Sequence, residues 1–202
     1  MSNLTIFLEE HPYVDYSSPL IIAKAGELFS GTDDSLEKAR IAYEFVRDDI
    51  PHSFDIGSDV ITSKASDVLA RKTGICHSKA NLLAALLRRV GIPAGFCYQH
   101  LTLAEDDSLG YCVHCYNAVF VNNRWIFLDA RGNTNGRRAL FSPEKPVLAF
   151  QPRREYDEYF WKGIYASPQM GVMLMLDSSR TRQDVMDNLQ DFLEGEPDIV
   201  DW

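Results

Sequence analysis

Apolar residues at Leu36, Ala39, Ala42, Phe45 and Val46 recur at the spacing of one helix face and predict a helix over about Ser35 to Asp49. Asp34 is placed to cap its start, with Glu37 three residues on, and Pro51 ends it. An earlier run predicts a helix over about Pro19 to Phe29, interrupted by Gly26. After the polar stretch His52 to Lys64 come a short helix, Ala65 to Arg71, and a strongly apolar one from about Cys76 to Val90. The body of the latter (Ala80 and Leu82 to Leu87) is apolar nearly all round until Arg88, which places it inside the core. Gly91 can adopt a left-handed cap and Pro93 cannot continue a helix.

The period then changes. Ala94 to Leu103, Tyr111 to Val121 and Arg124 to Ala130 read as strands, the last two joined by Asn122-Asn123, a pair that tolerates the positive φ of a tight hairpin. From about Phe141 to Leu176 prolines mix with aromatics, predicting an irregular wrap with one or two short helices or strands. A final helix is predicted over about Arg182 to Leu193. Helices, a buried central helix and then an antiparallel sheet make an α+β pattern. At 202 residues, without repeats or a linker, the expectation is one domain over 1–202, with a core of about 34–131 and a C-terminal wrap and helix of about 141–195.

Composition narrows the function classes. With 46% hydrophobic and 24% charged residues the chain is ordinary for a folded protein. A net charge of -9 and scattered basic residues argue against a nucleic-acid partner. No apolar run approaches the roughly 20 residues of a membrane span, and Met1 to Asp15 lacks the order of a signal peptide. The expected location is the cytoplasm, where Cys76, Cys97, Cys112 and Cys115 would be thiols.

The candidate chemistry starts at Cys76, just after Gly74 at a helix start. Free backbone N–H groups and the helix dipole there favour a thiolate and could also hold an oxyanion. The hairpin supplies the partners. If Asn122-Asn123 is a two-residue turn, Val121 faces Arg124, Tyr116 faces Asp129, and Asp129 becomes a diagonal same-face neighbour of His114. A carboxylate on one imidazole nitrogen leaves the other to exchange a proton with a thiol.

These residues carry a resemblance. Thr73-Gly74-Ile75-Cys76, running into Asn81 to Arg88 and Gly91-Ile92-Pro93-Ala94, resembles the cysteine block of the transglutaminase-like superfamily. His114-Cys115-Tyr116 and Trp125 to Asp129 resemble its histidine and aspartate blocks, in the same order; with the upstream helix and Ile50-Pro51-His52 the likeness spans about Asp34 to Arg131. It implies a papain-like arrangement, the Cys76 helix packed on an antiparallel sheet bearing His114 and Asp129, and a Cys76, His114, Asp129 catalytic triad. The implied activity is acyl transfer from an amide or ester carbonyl through a thioester, ending in hydrolysis or in a new amide, on a peptide, protein or small-molecule substrate. No metal or organic cofactor is expected. The alternative is a binding or scaffold protein on the same fold. Gly95, Tyr116 and Ala118 stand where relatives usually carry arginine, tryptophan and an acidic residue, which bears on the cleft wall. An upstream side chain often completes the oxyanion hole in the superfamily, and the sequence does not single one out here.

Other candidates have plainer readings. Cys112 and Cys115 form a C-x-x-C around His114, but residues three apart on a strand face opposite ways and no second pair completes a zinc site. Cys112 shares the His114 face and could approach Cys76, while Cys97 reads as core. His77 points about 100° away from Cys76 around the helix. His52 and His100 could line the cleft, loop or surface positions being the plainer reading, and Glu105-Asp106-Asp107 reads as a solvated loop.

Overall fold

A computed structural model describes residues 4–134 and 136–200. Its helices are α1 (Pro19–Phe29), α2 (Ser35–Asp48), α3 (Ala65–Arg71), α4 (Cys76–Arg89), α5 (Met170–Ser178) and α6 (Arg182–Asp187). Its strands are β1 (Ala94–Thr102), β2 (Tyr111–Val121), β3 (Arg124–Leu128) and β4 (Tyr159–Phe160), in an antiparallel sheet of order β3-β2-β1-β4. The fold is α+β. Among the described residues no helix is long and apolar enough to cross a membrane.

Helix α4 is the axis of the molecule. Every residue from His77 to Arg88 is buried, and α1, α2 and α3 pack around it on the side away from the sheet. The leucines and alanines of its body cluster with Phe96, Tyr98, Val113, Cys115 and Val119 of the strands. On the opposite side of the sheet Cys97, Tyr116 and Ala118 meet Phe7, Leu148 and Ile164 from the two ends of the chain. Gly91, at φ 77°, ends the helix as a left-handed residue, and Arg88 turns inward to donate to the carbonyls of Glu9, Ala94 and Ala166. Asp34 caps α2 by accepting from Glu37 N–H at 2.7 Å.

The hairpin has the expected two-residue turn. Asn122 and Asn123 lie at φ 52° and 61°, and Val121 pairs with Arg124. Two elements are shorter than the pattern predicts. Strand β3 stops at Leu128, so Asp129 sits just beyond the sheet and not within it; its carboxylate is taken up by the turn that follows. The last helix stops at Asp187 rather than Leu193, because the carbonyl of Gln190 leaves the helical path to accept from Val113 N–H at 2.9 Å. The aromatic wrap carries the short elements expected of it, β4 at the open edge of β1 and helix α5.

Candidate active site

The site is assembled where the first turn of α4 meets the end of the β2–β3 hairpin. Gly74 makes the approach to α4 possible, since a Cβ at that position would lie 2.5 Å from Ser78 Oγ and 3.1 Å from Thr62 Oγ1. The close packing brings the chain into α4 with Ile75 as N-cap and Cys76 as the first helical residue.

His114 and Asp129 meet as their register requires. His114 Nε2 donates to Asp129 Oδ2 at 2.9 Å, with both side chains buried. Asp129 is held on two further sides, accepting from Ala149 N–H at 2.9 Å and Arg131 N–H at 3.1 Å. The Phe150 ring stands edge-on to the imidazole, centroids 4.9 Å apart. With Nε2 committed to Asp129, Nδ1 is the nitrogen left for the thiol of Cys76, and the charges of His114 and Cys76 act on each other.

Electrostatics follow from this packing. Burial alone would push the Cys76 thiol up, but the His114 charge, its hydrogen bond and the backbone N–H of Cys115 together bring it below the ordinary thiol value. His114 moves up: burial disfavours its charge, and the negative charges of Asp129 and Cys76 outweigh that penalty. Asp129 is held below the usual carboxylate range, burial being overcome by His114 and by the two backbone donors. The two shifts, Cys76 down and His114 up, both favour a thiolate–imidazolium pair. The other thiols go the other way, with burial raising Cys112 to about 12 and lifting Cys97 and Cys115 as well.

The cleft above these groups encloses about 280 Å³. His52 is part of it, buried in the cleft wall and not in the plainer loop or surface position. A bridge between His52 and Gly74 draws the 52–58 loop against the start of α4, and Cys76 N–H lies 3.2 Å from His52 Nε2. Phe54 N–H lies 3.3 Å from Nδ1 of the same ring. Burial, and then the charge of Arg131, hold His52 well below the usual histidine value, so the ring is neutral and one of its nitrogens carries the proton. His52 belongs to the Ile50-Pro51-His52 stretch that carries part of the family resemblance, and its contact to Cys76 is created by tertiary packing across 24 residues.

A buried frame supports the loops. Lys79 is fully buried and donates to the carbonyls of Ile50 at 2.5 Å and Arg131 at 2.9 Å, with its ammonium pushed down to about 7 by burial. Arg131 forms a bidentate pair with Asp55 at 2.5 and 2.9 Å, and Thr134 also donates to Asp55. The segment after Asp129 is thus locked to the loop that carries His52.

The remaining candidates lie apart from this cluster. His77 donates from Nε2 to the Val113 carbonyl at 2.9 Å, and burial lowers it to about 4. His100 is stacked between Tyr111 and Tyr159. Cys112 lines the cleft whereas Cys115 packs in the core, so the C-x-x-C pair is split between the two. Gly95, where relatives carry arginine, has no room for a side chain: a Cβ would sit 2.6 Å from Ile164 and 2.9 Å from Phe7.

A cysteine on the first turn of a buried helix, facing a histidine and an acid at the end of an antiparallel hairpin, is the architecture of the papain-like class. The transglutaminase-like superfamily model matches residues 22–130, and the chain belongs to that superfamily. A solved structure described provisionally as a cysteine protease, from Cytophaga hutchinsonii, is similar with a TM-score of 0.53 and 18% identity, over 65% of this chain and 43% of that one. A second, described as a TGase, has a TM-score of 0.43 and 14% identity, over 65% of this chain and 35% of its own. The chain thus spans less than half the length of the solved structures it matches. No curated protein gives a significant match.

Proposed function

We propose that this protein is a cysteine-dependent acyl-transfer enzyme in which Cys76 is the nucleophile, His114 the proton carrier and Asp129 the residue that orients His114. The thiolate attacks an amide or ester carbonyl carbon, forming the C–S bond and moving the π electrons onto oxygen. Collapse of that oxyanion expels the amine or alcohol, which takes its proton from the His114 imidazolium. The resulting thioester is attacked by water or by an amine, whose proton passes back to His114 as the C–S bond breaks. The products are an acid or a new amide.

The donors for the oxyanion are also at hand. Cys76 N–H is one. His52 is the second when its proton sits on Nε2, with Nδ1 accepting from Phe54 N–H. In the other tautomer Nε2 accepts from Cys76 N–H and withdraws that donor from substrate. A shift of one proton on His52 therefore separates a closed hole from an open one.

The observation that carries this reading is the hydrogen bond from His114 to a buried Asp129, with His114 and the α4 cysteine lining one cleft and each shifting the other's charge. Intact-mass spectrometry of the protein with a panel of amide and ester acyl donors tests it. An acyl adduct on Cys76, absent in Cys76→Ser, is expected, and added amine divides hydrolysis from amide formation. No adduct across the panel, with a Cys76 as sluggish toward alkylation as the other cysteines, would leave a binding protein on an enzyme fold.

A further inference from the structure

The cleft is lined by basic side chains in an acidic chain. Its walls carry Arg131 and Arg137 beside Cys76 and His114, and no aspartate or glutamate is among its described lining residues, although the whole chain has a net charge of -9. The two arginines differ in one respect. Arg131 is matched by Asp55 through a bidentate pair. Arg137 has Nε and Nη1 out of solvent with no hydrogen-bond partner among the described residues. Its guanidinium lies 5.0 Å from the centre of the Phe150 ring, the same ring that stands against His114. The acid whose charge reaches Arg137, Asp55, is already engaged by Arg131 and Thr134.

The side chain is half-buried, and the two donors it holds out of solvent without a partner are costly unless an acceptor arrives. The charge, the planar donors and the aromatic platform suit an anion, and the single uncommitted guanidinium matches a singly charged one. We propose that Arg137 forms an anion subsite of this cleft and that the acyl substrate carries a carboxylate which docks there while Cys76 attacks its carbonyl. The proposal rests on the cysteine-enzyme reading for its second half and on the cleft alone for its first. Desolvation and the neighbouring Arg131 charge depress Arg137, in keeping with a site that gains from a negative ligand.

Two measurements test the halves separately. The first compares Cys76 alkylation by N-iodoacetyl-β-alanine, which ends in a carboxylate, with alkylation by its neutral amide, both followed by intact mass. The carboxylate reagent should react about tenfold faster in the wild type, as expected for a hydrogen bond to a charged group partly screened by water. Arg137→Gln should bring the ratio of the two rates to about one, with Arg137→Lys between. Equal rates in the wild type, or a ratio that Arg137→Gln does not move, would overturn the subsite as a guide for acyl substrates. The second follows the Arg137 Nε–H resonance, identified by its loss in Arg137→Gln, during titration with glutarate and with inorganic phosphate in Cys76→Ser. A saturable shift with glutarate supports the subsite even if Cys76 resists both alkylating reagents, a result that would sink the nucleophile and spare the anion site. No shift, or a stronger response to phosphate than to glutarate, would sink the carboxylate assignment.

Discussion

The backbone N–H of Cys76 and Nε2 of His52 stand 3.2 Å apart, joining the first turn of the central helix to a loop 24 residues earlier. In the proposed reaction these two groups receive the charge that develops on the carbonyl oxygen. Replacing His52 by Phe keeps a ring in the cleft and removes the donor. Acylation should slow by about 10²-fold, the usual consequence of losing one oxyanion donor. Alkylation by iodoacetamide, which builds no oxyanion, should suffer much less. Comparable losses in both reactions would mean that His52 acts on the thiol and not on the carbonyl oxygen.

The thiolate itself has a pH signature. An ordinary thiol of pKa ~8.5 loses roughly 75-fold in thiolate between pH 8 and pH 6. His114 lowers Cys76 against its burial, so its thiolate survives to lower pH than an unassisted buried thiol's and is lost as pH falls through the lowered pKa. Iodoacetamide labelling at pH 6 should then modify Cys76 while Cys97, Cys112 and Cys115, all pushed up by burial, stay unlabelled. His114→Ala leaves the burial and removes the cation, and labelling at pH 6 should disappear. Peptide mapping after labelling decides the matter, and uniform modification of the four cysteines would contradict it.

Much of this geometry was legible in the sequence because it depends on local rules. Pro19–Phe29 and Ala65–Arg71 follow the helical period residue for residue, and Gly91 ends α4 where a left-handed residue is needed. The positive φ of Asn122 and Asn123 fixes the register, and that register brings Asp129 to His114. The parts that escaped depend on contacts distant in sequence. His52 looks like a loop residue until the bridge to Gly74 draws it against α4. Arg137 lies in an irregular segment with no period to read, and α6 ends early because Gln190 is recruited by β2. Asp129 leaves the strand for the same kind of reason, its carboxylate accepting backbone donors from Arg131 and Ala149.

Lys79 makes a stability prediction whose sign can be worked out. Its folded value of about 7 lies below the ~10.4 of an unfolded lysine, so between those limits the unfolded chain binds more protons. Stability from this group therefore rises with pH across that window, and the cost of burying the ammonium is felt in full below pH 7. Lys79→Met removes the dependence. Urea denaturation of both proteins should show the wild type gaining about 1–2 kcal/mol on the variant between pH 7 and pH 8.5. Parallel curves would place the proton elsewhere.

Asp55→Asn would leave the Arg131 guanidinium buried without its charge partner, since the two side chains are only 8% and 7% exposed. Breaking such a pair should cost about 3 kcal/mol of stability. Because Arg131 also donates its backbone N–H to Asp129, acylation should fall with it. Denaturant titration paired with an acylation assay checks both, and a variant as stable as the wild type would show that the pair is not a structural tie.

Substitution at Asp129 separates orientation from charge. Asp129 Oδ2 accepts from both His114 and Ala149, while Oδ1 accepts only from Arg131 N–H. In Asp129→Asn the amide oxygen will occupy the Oδ2 position, because the alternative points an NH₂ at two donors instead of one. His114 then keeps its hydrogen bond and its tautomer but loses the negative charge that raises it. The imidazolium must give up its proton at lower pH, which removes the acid that protonates the leaving group. Acylation near neutrality should therefore fall by on the order of 10²-fold, with its alkaline limb displaced toward lower pH. Asp129→Ala removes orientation as well and should fall further, on the order of 10³-fold. A pH–rate profile of the Asn variant with an unmoved alkaline limb would show that the carboxylate does not hold the proton on His114.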